Sequence, residues 1–233
     1  MGTLDNFSGW GLVIRQSCWT WLVIASLGLG CSQPPSPDVA IGHHIADHCP
    51  PKGGFDYYFP PASITDRAIS GPWQRDEYTQ LLELIDAEPL WCGDSAPAEV
   101  YRLIVLPPFR SPIVVTANLA APGWTIETAT YNVLSSTGSR ASGVRRVAIN
   151  QRTEGRATQA QLRAFVSALD RAQYWDARSY HQPQVEDATV WTIEARTNGK
   201  YGIVTRLVNY DHAFEEAARA LLNLAELRLP EPK

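Results

Sequence analysis

The densest group of potential metal ligands in this chain is His43-His44-Ile45-Ala46-Asp47-His48-Cys49. On a helix, His44 and His48 at i and i+4 would point the same way and, with Asp47 beside them, could hold a zinc ion that activates water for hydrolysis. The set is thin, because a structural zinc takes four protein ligands and a catalytic one three. The stretch that follows offers only Cys49 and Asp56, and Pro50-Pro51 ends any helix at once. Solvated histidines in a short turn are the plainer reading, so no metal and no cofactor is expected, with His44, Asp47 and His48 as the alternative. Nucleophilic catalysis has no better footing. There is no Gly-x-Ser-x-Gly elbow; Ser135, Ser136, Ser139 and Ser142 belong to a small polar stretch, and His181 and His212 have no Ser or Asp arrangement to complete. Glu215 and Glu216 diverge by about 100° on a helix, which unsuits them to paired acid and base work. Gly138-Ser139-Arg140-Ala141-Ser142-Gly143 lacks the lysine and the strand-to-helix setting of a phosphate loop. No catalytic residue is expected.

One charge feature remains. Arg140, Arg145, Arg146, Arg152, Arg156, Arg163 and Arg171 face only Glu154 and Asp170 over the same span. Arginine forks could engage an acidic partner protein or an anionic envelope polymer. Strand and helix positions point to different sides, however, and scattered solvated arginines are the simpler expectation.

The N-terminal residues read as an address. The apolar run from Trp19 to Gly30 follows Arg15 and is too short for a bilayer core that needs about 20 apolar residues. Its ending, Leu27-Gly28-Leu29-Gly30-Cys31, resembles the lipobox of bacterial lipoproteins, in which the signal is removed and the new N-terminal cysteine carries the lipid. Gly28 and Leu29 stand in the reverse of the usual order, and cleavage nearby with an ordinary Cys31 is the alternative. The expected organisation is a signal peptide over 1–30, a tether over 31–42 containing Pro34-Pro35-Ser36-Pro37, and one domain over 43–233. Ser32 after the cysteine resembles the outer-membrane sorting preference of Gram-negative lipoproteins. The expected location is therefore the cell envelope, anchored to the membrane through Cys31 and facing the periplasm; a soluble secreted or periplasmic form is the alternative. With Cys18 removed and Cys31 acylated, Cys49 and Cys92 remain as an even pair in an oxidising compartment and are expected to be bridged. Two free thiols or two metal ligands are the competing readings.

The domain itself must fold as one core. Of 233 residues, 45% are hydrophobic and 19% charged, with a net charge of -4, so a coiled rod, a disordered chain and a global attraction to nucleic acid are all excluded. Residues 39–72 are loop-rich and expected to wrap the surface. Tyr78, Leu81, Leu82 and Ile85 share one helical face. From Glu99, four runs read as strands: Val100–Leu106, Ile113–Leu119, Trp124–Asn132 and Val144–Arg152, with a flexible Ser/Gly loop over Ser135–Gly143. Short connections favour an antiparallel meander. Thr158-Gln159-Ala160-Gln161 fits a capping box, after which Leu162, Phe165, Val166 and Leu169 line one face. Tyr174-Trp175 should plug the edge of the core. Asn198-Gly199 suits a type I′ hairpin turn, which sets Trp191 opposite Arg206, Ile193 opposite Val204 and Ala195 opposite Gly202. That face is the apolar one, Arg206 is expected to stack on Trp191, and the face of Thr192, Glu194, Arg196, Tyr201 and Thr205 should be partly wet. A last helix buries Phe214, Ala217, Ala218 and Leu221. The expected class is α+β: a single domain whose antiparallel sheet of about six strands, the Asn-Gly hairpin included, packs with two to three helices.

Glu99-Val100-Tyr101-Arg102-Leu103 with Phe109-Arg110-Ser111-Pro112, then Tyr174-Trp175, Trp191-Thr192-Ile193-Glu194 and Tyr201-Gly202-Ile203-Val204-Thr205-Arg206 resemble a family of uncharacterised bacterial proteins, many with lipoprotein signals. Members carry histidines where this chain has Arg110 and Gly202, so the resemblance implies a fold and not histidine chemistry. The expected function is that of a non-enzymatic envelope lipoprotein that binds a macromolecule, as an accessory, inhibitor or immunity-like factor. A metal-dependent hydrolase and a small-ligand binder near Arg206 are the alternatives, and nucleic acid is not an expected partner.

Overall fold

The computed structural model describes residues 43–61, 72–93, 99–120, 123–137, 144–177 and 188–227. The expected signal, the tether with Cys31, Arg140 and His181 lie outside them. In chain order the elements are β1 (His43–His44), α1 (Phe55–Tyr58), α2 (Pro72–Leu84), β2 (Glu99–Leu106), β3 (Ile113–Ala120), β4 (Gly123–Thr137), β5 (Val144–Ala157), α3 (Gln159–Arg171), β6 (Val190–Thr197), β7 (Lys200–Leu207) and α4 (His212–Leu224). The strands form one antiparallel sheet in the order β1-β7-β6-β2-β3-β4-β5. The meander runs β2 to β5, and the β6–β7 hairpin joins it on the far side of β2. The fold is α+β, and its described residues belong to one compact unit.

The hairpin register is the one its turn demands. Asn198 and Gly199 both take positive φ (49° and 75°), and Trp191 lies opposite Arg206, Ile193 opposite Val204, Ala195 opposite Gly202. The capping box forms as well: the Thr158 hydroxyl accepts from the Gln161 amide at 3.2 Å, and the Gln161 side chain accepts from the Thr158 amide at 2.9 Å.

Alternation along the strands divides the core into two layers. Tyr101, Leu103, Val105, Trp191, Ile193 and Val204 pack against Phe165, Leu169, Phe214 and Leu221 of α3 and α4. On the opposite face Val100, Ile104, Tyr131, Tyr201 and Ile203 pack against Leu81 and Leu82 of α2 and against Tyr57, Tyr58 and Phe59. Two expectations are corrected here. Within residues 39–72, the described stretch 43–61 does not merely wrap the surface, because Tyr57, Tyr58 and Phe59 are core side chains. The second face of the hairpin is not wet either: Thr192, Glu194, Arg196, Tyr201 and Thr205 are all buried under the α1–α2 layer.

The segment carrying β1 and α1 is pinned by the Cys49–Cys92 disulfide, whose Cα atoms are 5.1 Å apart and which joins residues 43 positions apart. Beside it, Ala46 donates to Trp91 O at 3.0 Å, Gly93 donates to Ala46 O at 2.8 Å, and the Trp91 indole donates to Tyr57 O at 3.0 Å. The expected pairing is thus present, and it stitches the second layer to the chain just before β2.

β4 and β5 are longer than their sequence reading. β4 continues to Thr137, so the first residues of the expected Ser/Gly loop are strand, and β5 continues to Ala157. β3 pairs with β4 only as far as Ile113–Thr130, so beyond it β4 and β5 project as a two-stranded ribbon with irregularities between Thr130 and Tyr131 and between Val133 and Ser135.

Candidate functional site

The His43–Cys49 segment does not form the helix that would align His44 with His48. Its first residues are the short strand β1, with His43 opposite Tyr201 and His44 opposite Lys200, and the chain then turns through Asp47 and His48 to Cys49, which is spent on the disulfide. Among the described residues no three His, Cys, Asp or Glu side chains converge as metal ligands.

The buried charges form structural pins. Arg102 Nη1 donates to Glu194 Oε2 at 3.0 Å, Arg102 Nη2 donates to the Glu88 carbonyl at 2.8 Å, and the Tyr201 hydroxyl donates to Glu194 Oε1 at 3.0 Å. Burial pushes the Glu194 carboxyl above the ordinary carboxylate range, and Arg102 and Tyr201 draw it part of the way back. Burial also raises the Tyr201 and Tyr174 phenols far above their usual value. Beside this group, the Tyr78 and Thr192 hydroxyls bond at 2.6 Å, and Thr192 and Thr205 at 3.0 Å. Most of these polar atoms satisfy one another between sheet and helix layer; among the described residues the buried Arg102 Nε has no hydrogen-bond partner.

Arg206 does not stack on Trp191. Its Nε donates to Asp211 Oδ2 at 3.1 Å and its guanidinium lies 5.8 Å from the Phe214 ring centre, while Arg219 occupies the Trp191 face at 5.4 Å. Asp211 draws Arg206 aside because it is itself fixed, its other oxygen capping α4 through the Phe214 amide at 3.0 Å. Tyr174 plugs the core over β6 and β7, donating to Ile193 O at 3.2 Å and Gly202 O at 2.7 Å.

Between α3 and α4 lies a groove of about 320 Å³ floored by Ala164, Ala168 and Ala220. Its charges are already matched. Glu215 accepts from Arg219 and Glu216 from Arg171, both at 2.7 Å, so the two neighbouring carboxylates diverge to separate partners as their helical spacing requires.

The surface that lacks such matching is the outer half of the sheet. Ile149 to Arg156 of β5 are exposed at every position, so both faces of this stretch meet solvent, and β5 is the terminal strand of the sheet. At the ribbon end Leu134 is 65% exposed, Val133 39% and Ile149 37%. Leu134 is the extra residue of the irregularity between Val133 and Ser135. Val133 and Ile149 share a face, since Val133 pairs with Val147 and Ile149 lies two residues further along β5. Phe109, in the β2–β3 connection at the same end of the sheet, is 73% exposed. From Thr128 to Thr153 the chain carries Arg140, Arg145, Arg146 and Arg152 and not a single Asp or Glu, in a protein of net charge -4. Arg152 pairs with Glu127 at 3.1 Å, whereas Arg146 and Arg156 are exposed and make no ion pair among the described residues. Of the arginine surplus noticed in the sequence, Arg146, Arg152 and Arg156 are exposed along β5. Sequence reading missed the site because a strand rich in Arg, Thr and Gln gives no sign of which layer fails to cover it.

No family model matches this chain, and no curated protein matches it. Among the described residues no helix is long and apolar enough to cross a membrane.

Proposed function

We propose that this chain is a non-enzymatic lipoprotein of the cell envelope, anchored through Cys31 and facing the periplasm from the outer membrane, whose α+β domain binds another macromolecule. The observation that carries the binding role is β5, the long terminal strand, on whose outer edge no further strand pairs among the described residues and whose side chains are exposed from Ile149 to Arg156, continuous with exposed Val133 and Leu134. A domain that covers the centre of its sheet on both sides with helices, and packs α2 over Val147 of β5 while leaving Ile149 to Arg156 exposed, has a surface suited to a partner. The Cys49–Cys92 bridge favours an oxidising compartment, and the lipobox-like Leu27–Cys31 with the proline-rich segment behind it supplies anchor and spacer. The resemblance to bacterial lipoproteins points the same way.

Mass spectrometry of the chain purified from membranes tests the location. The expected result is an N-terminal Cys31 carrying fatty acids, with Cys31→Ser released to the soluble fraction while remaining folded. An unacylated chain with Met1 intact in the cytosol would overturn it.

A further inference from the structure

We propose that the open edge of β5 accepts an extended, acidic segment of a partner protein as an added antiparallel or parallel strand, with Val133, Leu134 and Ile149 taking its apolar side chains at the ribbon end. This rests on the reading of the domain as a binding module and names the partner's chemistry.

An edge strand offers a row of backbone donors and acceptors to any chain that can lie extended beside it. Three features of β5 select among the occupants. First, the run Ile149-Asn150-Gln151-Arg152-Thr153-Glu154-Gly155-Arg156 is already held in strand geometry by β4, so the template costs a ligand only its own ordering. Second, its side chains are basic on balance, and Arg146 and Arg156 are exposed and make no ion pair among the described residues, which favours carboxylates placed opposite them. Third, the same charges work against a second copy of this chain, because β5 against β5 brings two arginine-bearing edges together. A bilayer fits less well: the exposed aliphatic residues are set back along the ribbon, and the rest of the open strand is polar, so hydrocarbon would meet little of it.

The test uses the full mature protein and a synthetic peptide of alternating Glu and Val, with a further version N-methylated on amides of both edges. Strand addition needs one free edge of the peptide, so the methylated version should lose binding by about tenfold or more. Binding of the parent peptide should slow hydrogen exchange in residues 149–156 and weaken about tenfold or more in the Arg146→Glu/Arg156→Glu variant, whose unfolding midpoint should match the parent protein. Four outcomes overturn the proposal: no binding of the peptide; undiminished binding of the version methylated on both edges, which would mean charge attraction alone; a β5-dependent dimer by sedimentation in place of peptide binding; or binding only to vesicles containing anionic phospholipid. Failure here with an acylated Cys31 sinks the strand proposal alone, whereas peptide binding by an unacylated cytosolic chain sinks the location alone.

Discussion

Arg102, Glu194 and Tyr201 stand at the centre of the sheet, where a charge must be paired to be tolerated. Breaking such a pair from one side costs more than removing both partners. Arg102→Met should therefore lower stability by about 3–5 kcal/mol, and adding Glu194→Leu should recover part of the loss, as urea unfolding of the single and double variants would show. The pH dependence follows from the raised Glu194 carboxyl. In the window between its ordinary value and its raised one, the folded state holds a proton that the unfolded state has lost. This contribution to stability is thus present below the window and disappears as pH rises through it. Glu194→Gln should flatten the fall in unfolding midpoint across that window; an unchanged slope would assign it to another group. None of this could be read from the strand pattern. Thr192, Glu194 and Arg196 alternate with Trp191, Ile193 and Ala195 as a half-wet strand would, and the layer that covers them comes from Tyr57, Tyr58, Tyr78 and Leu81, far off in sequence.

At the scale of elements, local chemistry decided what it could decide. The Asn198-Gly199 turn fixed the β6–β7 register, and Thr158 with Gln161 fixed the start of α3, because each depends only on neighbours in the chain. Gly199→Val should cost about 1–2 kcal/mol, since a β-branched residue resists the left-handed conformation at φ 75°. A loss well below that, measured by thermal unfolding, would mean that tertiary packing and not the turn holds the register. The full extents of β4 and β5 were less legible. Ser135, Ser136 and Thr137 have loop composition, yet they continue the ladder because β5 continues opposite them, and pairing is a non-local fact. The exposure of Ile149 to Arg156 is likewise a property of which part of β5 the helices cover, since α2 buries Val147, and not of its own residues.

For the whole molecule, the disulfide ties the β1–α1 segment, and so the second core layer, to the strand that begins the meander. Replacing Cys49 and Cys92 together by alanine should lower stability by about 2–4 kcal/mol, read from denaturant midpoints, while the β5 edge, on the opposite side of the sheet, keeps its binding. The even cysteine count made the bridge legible, whereas its role in holding a core layer needed the fold. The proposed lipid anchor, tether and oxidising compartment would make one consistent setting for a domain that offers the exposed part of β5 to a partner. The most direct measurement is photo-crosslinking in intact cells, with the photoreactive residue placed at position 153 on the open strand or, for comparison, at position 216 on α4. The account predicts a discrete adduct of higher mass from position 153 that is lost with Arg146→Glu/Arg156→Glu, and none from position 216. No adduct from position 153, or the same adduct from both positions, would contradict it.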